Sequence, residues 1–190
     1  LTGSRKRVFI GQALDVVSTH WRTRFRYLGI RSWLQFGLQE LGDVIVQYLF
    51  CDRVYVPSFE PKRRSFFGDK FVRIPLISRE FPEPIVPTKE FCVIASGSRI
   101  DRAQLSGIAV KLGVPLLINQ FGNPPADAAF MKKLADSKNW VFSGGLSTLS
   151  ECVFLGRRAL LVVGSHHSEH IANLLQAEKH GVGRLWMDSH

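Results

Sequence analysis

The sequence predicts an α/β fold: a Rossmann-like parallel sheet in its second half, preceded by the tail of a second α/β domain. Short, continuous runs of Val, Ile and Leu recur between residues 91 and 186, and amphipathic helical patterns separate them. Strands that are buried on both faces have such runs, and a helix between consecutive strands makes their pairing parallel. The alternation therefore indicates a sheet that is covered by helices on both faces.

The second half is expected to contain five strands and four helices. The first four strands are the apolar runs Phe91–Ala95, Val114–Ile118, Trp140–Phe142 and Ala159–Val163, and the fifth follows Gly181. The intervening helices are expected at Asp101–Leu112, Ala126–Leu134, Thr148–Leu155 and Ser168–His180.

Residues 1–90 are less regular. Strands are expected at Val8–Ile10, Arg53–Pro57 and Phe71–Pro75, and a helix at Ser32–Phe50. Pro75, Pro82, Pro84 and Pro87 then interrupt any regular element. We therefore expect three parts: residues 1–80 as the partial end of one domain, 81–90 as a proline-rich linker, and 91–190 as a second domain. The chain begins with Leu and its first domain is short, so we expect a piece of a longer polypeptide.

Composition excludes several classes of protein. The chain has 190 residues, and 45% of them are hydrophobic, which is incompatible with disorder as the main state. No run of roughly 18 apolar residues occurs, so a membrane-spanning helix is excluded. Cys51, Cys92 and Cys152 are too few and too scattered for a disulfide scaffold or a zinc cluster, and the last two are expected to be reduced core residues.

The charge is basic and unevenly distributed. The net charge is +9, and residues 1–90 hold 15 basic and 9 acidic side chains. Nucleic acid, an anionic membrane and phosphorylated substrates all suit such an excess. In residues 20–36, arginines alternate with aromatic side chains. If this stretch is helical, Trp21, Phe25 and Leu28 share a face that can lie in a membrane interface. An ordinary half-buried segment and base stacking on nucleic acid remain the alternatives.

Three loops follow predicted strands and open predicted helices, which is where open parallel sheets bind ligands. In the first loop, Gly97 and Ser98 precede Arg99. Backbone N–H groups, the helix dipole and the guanidinium could together bind a phosphate there. An ordinary strand-to-helix turn has a similar composition, so this loop alone does not decide between the two.

The second loop runs from Ser143 to Glu151 and contains two adjacent glycines, Gly144 and Gly145. Paired glycines allow a ligand to approach the backbone closely. Ser147 or Thr148 can cap the following helix. Glu151 then either completes a capping box with Thr148 or accepts both hydroxyls of a ribose.

The third loop contains His166, His167 and His170 near Glu169. Their spacing does not give the HExxH order of a helical zinc site. We therefore expect no metal here, but a polar rim that contacts a ligand.

The order of the last two loops resembles a known family. From Trp140 to Gly183 the chain reads strand, Gly-Gly-x-x-Thr-x-x-Glu, helix, apolar strand, polar loop and Glu-His-x-x-Asn in a helix. This resembles the donor-binding half of the two-domain (GT-B) nucleotide-sugar glycosyltransferases. The bacterial lipid-linked N-acetylglucosaminyltransferases (glycosyltransferase family 28-like) and their archaeal relatives are the most similar subgroup. The resemblance covers roughly the last hundred residues.

The resemblance implies a hexosyltransferase that uses a UDP-sugar as substrate and needs neither cofactor nor metal. Each matching residue takes the role of its family counterpart, with His170 standing where Gln is usual. Gly97, Ser98, Arg99, Gly144, Gly145, Ser147 and Thr148 would bind phosphate, Glu151 the ribose, and Glu169, His170 and Asn173 the sugar. In this family the general base usually comes from the first domain. No residue is assigned to that role, and His20 is a distant candidate.

The resemblance also implies a lipid-linked acceptor, an anionic membrane surface as partner, and a cytoplasmic protein on the inner face of the cell membrane. Three alternatives stay open. One is an enzyme like UDP-N-acetylglucosamine 2-epimerase, which shares the Ser-Gly-Gly turn. The second is a non-catalytic, donor-binding subunit of a two-chain transferase. The third, a nucleic-acid-binding protein, rests only on charge.

Overall fold

The chain is a mixed α/β protein with two parallel sheets, as the sequence predicts. The computed structural model describes residues 6–11, 13–17, 30–62, 68–79, 86–96, 99–119, 128–163 and 168–186. Within these ranges, the side chains of residues 32, 96, 99–101, 119 and 128 are not described. The chain divides into two compact units, Leu1–Ile77 and Ser78–His190.

Unit 1 has a three-stranded parallel sheet in the order β1-β2-β3. The strands are β1 (Val8–Ile10), β2 (Arg53–Pro57) and β3 (Phe71–Ile74), with the helix α1 (Ile30–Phe50) before β2 and a 3₁₀ turn (Gly68–Lys70) before β3. Residues 13–17 are also helical. These positions confirm the three strands and the helix that are predicted for the first half.

The core of unit 1 forms between the helices and β2. Val44 of α1 is fully buried and packs with Val54, Val56 and Phe71. At the edge of this core, Nη2 of Arg73 lies 2.6 Å from Oδ1 of Asp15, and the Arg73 side chain is only 5% exposed. The side of α1 next to this buried one is different, because it exposes a line of large apolar residues: Ile30, Leu34, Leu38, Ile45 and Leu49.

Unit 2 has a five-stranded parallel sheet in the order β5-β4-β6-β7-β8. Its strands are β4 (Lys89–Ser96), β5 (Leu116–Asn119), β6 (Ser137–Phe142), β7 (Arg158–Leu161) and β8 (Gly183–Leu185). Its helices are α2 (Arg99–Leu112), α3 (Ala128–Ala135), α4 (Leu146–Phe154) and α5 (Ser168–Lys179). All nine predicted elements are confirmed, with bounds that differ by three residues at most.

The apolar runs lie at the centre of unit 2. Val93, Val141 and Leu160, from three adjacent strands, pack with Leu105 and Ala109 of α2. Such strands are shielded on both faces, which explains why their sequences are continuously apolar rather than alternating.

Cys92 and Cys152 are buried in unit 2 as free thiols, as expected from their apolar surroundings. Burial raises the pKa of Cys92 to about 12, and burial also raises the pKa of Cys152. Cys51, in unit 1, is partly exposed.

Within the described ranges, even the 21-residue α1 is not apolar enough over a sufficient length to cross a bilayer.

Candidate functional site

The strand order of unit 2 places two of the predicted loops side by side. From β4 the chain crosses to β5 on one side, and every later strand lies on the other side, so the order reverses between β4 and β6. The two strands are parallel and in register, with Ile94 opposite Phe142. The loops that follow them therefore leave the same edge of the sheet. A reversal of strand order opens a crevice at that edge, where doubly wound α/β proteins bind ligands.

The loop after β4 is only partly described. Gly97 and Ser98 lie outside the described residues. Arg99 is the first residue of α2, as the phosphate-loop prediction requires, but its side chain is not described. The role predicted for these three residues therefore stays a prediction.

The loop after β6 ends in a helix whose first turn has no side-chain cap. Gly145 is the N-cap of α4 and has no side chain to accept a hydrogen bond. The N–H of Leu149 donates to the carbonyl of Gly145 over 3.0 Å, which is the first hydrogen bond of the helix. The N–H groups of residues 146–148 precede that bond, so they have no partner within the helix. Together with the helix dipole, such groups form a site that favours an anion.

The capping-box interpretation of Thr148 and Glu151 is wrong. Because α4 begins at Leu146, Thr148 is the third residue of the helix rather than its cap, and it is buried. Ser147, the other predicted cap, lies within the helix and is exposed. Helix capping therefore does not explain Glu151. The anion-binding prediction for this turn is unaffected.

Gly144 is required by geometry at this turn. Its φ is +93°, a backbone angle that residues other than glycine rarely adopt. A Cβ on Gly144 would also lie 3.2 Å from Cβ of His170 and 3.3 Å from a methyl group of Leu161. By contrast, a Cβ on Gly145 would have no atom within 4 Å. The turn therefore leaves Gly144 little room for a side chain, whereas open space adjoins Gly145.

The predicted sugar-binding segment meets this turn at the start of α5. Nδ2 of Asn173 is buried and donates a 2.8 Å hydrogen bond to the carbonyl of Gly144. His170 is half-buried beside Gly144, and Glu169 is exposed in the first turn of α5. The structure thus brings together the two motifs that carry the family resemblance, although they are 29 positions apart in the sequence.

Glu151 is almost fully buried and has a partner that the sequence does not reveal. Its side chain is 5% exposed and accepts two hydrogen bonds from Arg79, one from Nε to Oε1 and one from Nη2 to Oε2, the second over 2.9 Å. The hydrogen bonds from Arg79 to Glu151 raise the pKa of Arg79, burial opposes that shift, and the negative charge of Glu151 adds to it. This paired, forked geometry is the strongest form of contact between an arginine and a carboxylate.

Arg79 is the residue of this site that sequence reasoning misses. It lies 72 positions before Glu151, in residues 75–79, which follow β3 and have no regular structure. Among the many arginines of a basic chain, no local pattern distinguishes this one. The sequence does hint that Glu151 is buried, because it lies two residues after apolar Leu149 in a helix that follows a buried strand. A buried carboxylate requires a partner, but nothing in the sequence says which residue that partner is.

Two further expectations concern parts of the chain that are not in this cluster. His20, the candidate base, and His166 and His167 lie outside the described residues. The described residues contain no group of three His, Cys, Asp or Glu side chains arranged to hold a metal ion.

A separate cleft of about 350 Å³ lies between α2 and the ends of β7 and β8, lined in part by Lys111, Val162 and Trp186. None of the predicted site residues lines that cleft.

Comparison with known proteins supports the fold. No protein-family model matches the chain, and no curated protein matches its sequence. Among solved structures, it is similar to the spinosyn forosaminyltransferase SpnP, with a TM-score of 0.50 and 14% identity over 96% of this chain and 63% of that one. The glycotransferase of kitacinnamycin is matched with a TM-score of 0.41 and 12% identity, over 97% of this chain and 64% of that one.

The chain therefore spans less than two thirds of the length of either glycosyltransferase. The likeness to SpnP agrees with the Rossmann-like, GT-B fold that the sequence predicts. At this level of identity it shows the fold alone, so the activity of the chain has to be argued from the site.

Proposed function

We propose that this chain belongs to a glycosyltransferase and contains its donor-binding domain, which binds a UDP-type nucleotide sugar. One observation carries the proposal: an α-helix without a side-chain cap begins at Gly145, at the edge where the strand order reverses, with the buried carboxylate of Glu151 in its second turn. A nucleoside diphosphate offers the two groups that suit this arrangement. Its diphosphate suits the N–H groups of the first turn, and its ribose hydroxyls suit a carboxylate.

The remaining predicted residues have roles that follow from their positions. Gly144 and Gly145 allow the diphosphate to approach the backbone, and the N–H groups of Ser147 and Thr148 donate to it. Arg99, at the start of α2, supplies positive charge from the neighbouring loop. Glu169, His170 and Asn173 contact the sugar from the first two turns of α5, and Nδ2 of Asn173 also donates to the carbonyl of Gly144.

The reaction is the displacement of the nucleoside diphosphate from the anomeric carbon by an acceptor hydroxyl. The bond from the anomeric carbon to the phosphate oxygen breaks, a bond to the acceptor oxygen forms, and the proton of the acceptor hydroxyl passes to a general base, to which no residue is assigned. Positive charge develops on the sugar and negative charge on the leaving diphosphate. Backbone N–H groups and an arginine stabilise the leaving diphosphate most at that point, which is how they would lower the barrier.

The proposal extends to the sugar and the acceptor in the form that the family resemblance implies: a hexose or an N-acetylhexosamine, transferred to a lipid-linked acceptor at an anionic membrane surface. The basic, aromatic stretch of residues 20–36 would face that surface. Flotation with vesicles that contain anionic lipid tests this part. We expect the chain to float with them, and a variant without the Arg22, Arg24 and Arg26 side chains to remain in the lower fraction.

Calorimetric titration with UDP, with ADP for comparison, tests the donor site. We expect UDP to bind, and Glu151→Ala to lower the preference for UDP over inorganic diphosphate by about 1–3 kcal/mol, because charge-assisted hydrogen bonds to the ribose are lost. An unchanged preference would remove the ribose role from Glu151. Absence of UDP binding at millimolar concentration would overturn the whole proposal.

Gly145→Ala provides a matched test of the phosphate role. A methyl group at this position meets no protein atom, so the fold should lose only about 0.5–1 kcal/mol of stability. The same methyl group would stand where the diphosphate approaches the helix, so UDP should bind about tenfold more weakly. Unchanged UDP affinity would show that the ligand does not approach this glycine.

A further inference from the structure

The pair of Arg79 and Glu151 determines what a ligand meets at the candidate ribose site. The Glu151 side chain is 5% exposed, whereas that of Arg79 is 38% exposed. The guanidinium, and not the carboxylate, is therefore the group that faces solvent at this position. Both carboxylate oxygens already accept a hydrogen bond from it.

A ribose needs the same part of the carboxylate that Arg79 uses. Nε and Nη2 of an arginine donate two parallel hydrogen bonds, one to each oxygen, along one edge of the carboxylate. The two neighbouring hydroxyls of a ribose also donate in parallel when they bind a single carboxylate. Only one of these forks can occupy that edge at a time. Because the Glu151 side chain is otherwise buried, a ribose that reaches both of its oxygens along this edge must displace Arg79.

Displacement of Arg79 by a neutral ligand is unfavourable. Hydroxyl groups would replace a charged, forked donor, and the guanidinium would lose its counterion in a partly buried position. A ligand that also carries a diphosphate changes this balance, because it provides a new counterion. Glu151 lies five positions beyond the first residue of α4, or roughly 8 Å along the helix axis, so the Arg79 guanidinium would move a comparable distance to reach a diphosphate at the first turn.

We propose that Arg79 is a specificity-determining residue that exchanges partners when the nucleotide binds. This inference rests on the function proposed above. In the free protein Arg79 is hydrogen-bonded to the carboxylate of Glu151. In the complex Glu151 accepts the ribose hydroxyls, and Arg79 moves to the diphosphate. The number of charge pairs is unchanged, so the exchange is favourable only for a ligand that carries both a ribose and a diphosphate. A nucleoside or a free diphosphate alone would each leave one member of the pair without a partner.

Titration of the full chain with UDP, with uridine and with inorganic diphosphate tests the exchange. In Arg79→Gln, the competitor for Glu151 is absent, so uridine should bind about fivefold more tightly than to the unmodified chain. Inorganic diphosphate should bind more weakly, and the ratio of UDP to uridine affinity should fall about tenfold. Lys138→Gln is the matched control, because Lys138 forms an exposed ion pair with Glu90 in the same unit, and all three affinities should stay the same.

Each outcome separates this inference from the proposed function. If the unmodified chain does not bind UDP, the proposed function fails, and this inference fails with it. If UDP binds but Arg79→Gln leaves the ratio unchanged, or weakens UDP and uridine equally, only the exchange is overturned.

A crystal structure of the unmodified chain with UDP provides a second test that does not depend on the stability of any variant. We expect the ribose hydroxyls within hydrogen-bond distance of Glu151 and the Arg79 guanidinium on the diphosphate. An intact Arg79–Glu151 fork in that complex would contradict the exchange.

Discussion

The two adjacent glycines of the turn after β6 differ in why each is a glycine. Gly144 has a φ of +93° and little room for a Cβ, so the turn itself favours glycine there. Gly145 has an ordinary φ of −63° and open space beside it. The sequence shows the pair but cannot assign these separate reasons, because they depend on His170 and Leu161, which lie far along the chain.

Gly144→Ala should therefore destabilise the protein. The strained φ costs about 1–3 kcal/mol, and the contact with Cβ of His170 adds to it. Gly107→Ala is the control, because Gly107 is an exposed residue within α2 with no atom near its missing Cβ. That change should increase stability by about 0.5–1 kcal/mol. Denaturant unfolding of both variants measures the difference, and equal stabilities would contradict the geometry of the turn.

Because of the buried thiols, the free energy of unfolding should vary with pH in the alkaline range. Burial raises the pKa of Cys92 from its ordinary value of 9.0 to about 12. Below pH 9.0 the thiol is protonated in both the folded and the unfolded chain, so its contribution to the free energy of unfolding is fully present. Between the two values it ionises only in the unfolded chain, and the contribution is lost as pH rises.

Cys92→Ala should therefore lose part of its stability deficit as pH rises from about 9 to 11, by up to about 1.4 kcal/mol per pH unit. Unfolding at a series of pH values measures the difference from the unmodified chain. A deficit that stays constant over that range would show that the thiol ionises in the folded protein.

At the scale of elements, hydrophobic periodicity predicts the sheet of unit 2 and its helices, because each strand has the apolar composition that burial on two faces demands. The start of α4 is the informative error. We expect the helix at Thr148 because its hydroxyl could cap it, whereas the observed cap, Gly145, has no side chain that would mark the position. A missing cap is hard to see in a sequence, yet it is the property that suits an anion.

The ion pair of Arg79 and Glu151 shows a different limit. Helix and strand patterns repeat within a few residues, so a sequence displays them directly. A contact across 72 positions depends on how the whole of unit 2 folds, and nothing near either residue indicates it. The candidate phosphate and sugar motifs could be found because a family resemblance supplied their spacing, and Arg79 has no counterpart in those motifs.

The two apolar sides of α1 should differ in their effect on stability. Val44 is fully buried against β2, whereas Leu38 is 64% exposed. Val44→Ala should reduce the free energy of unfolding by about 1–3 kcal/mol, and Leu38→Ala should change it by less than about 0.5 kcal/mol. Chemical denaturation of the two variants checks this. A comparable loss for Leu38→Ala would mean that this side of the helix is covered in solution.

At the scale of the whole molecule, every described residue of the candidate donor site belongs to unit 2. This unit has its own buried cluster, and its length is that of a common independent domain. The excess positive charge lies mostly in unit 1, because residues 1–77 hold 13 basic and 6 acidic side chains, whereas residues 78–190 hold 12 and 10. The candidate donor site and the basic excess are thus largely separate along the chain.

A fragment of residues 78–190 should therefore fold and bind UDP with an affinity within about threefold of that of the full chain, because it keeps Arg79, Glu151 and the turn at Gly144. Titration of the fragment, after its cooperative unfolding has been shown, measures this. A fragment that unfolds cooperatively but binds UDP more than about tenfold more weakly would place part of the donor site in residues 1–77.

The hydrogen bond from Asn173 to the carbonyl of Gly144 has a consequence for protein engineering. Residue 170, the proposed sugar contact, lies next to a turn that tolerates little change. The Cβ of residue 170, which every amino acid except glycine possesses, would lie 3.2 Å from any Cβ added at Gly144. A library that varies residue 170 should therefore keep Gly144 and Asn173 unchanged.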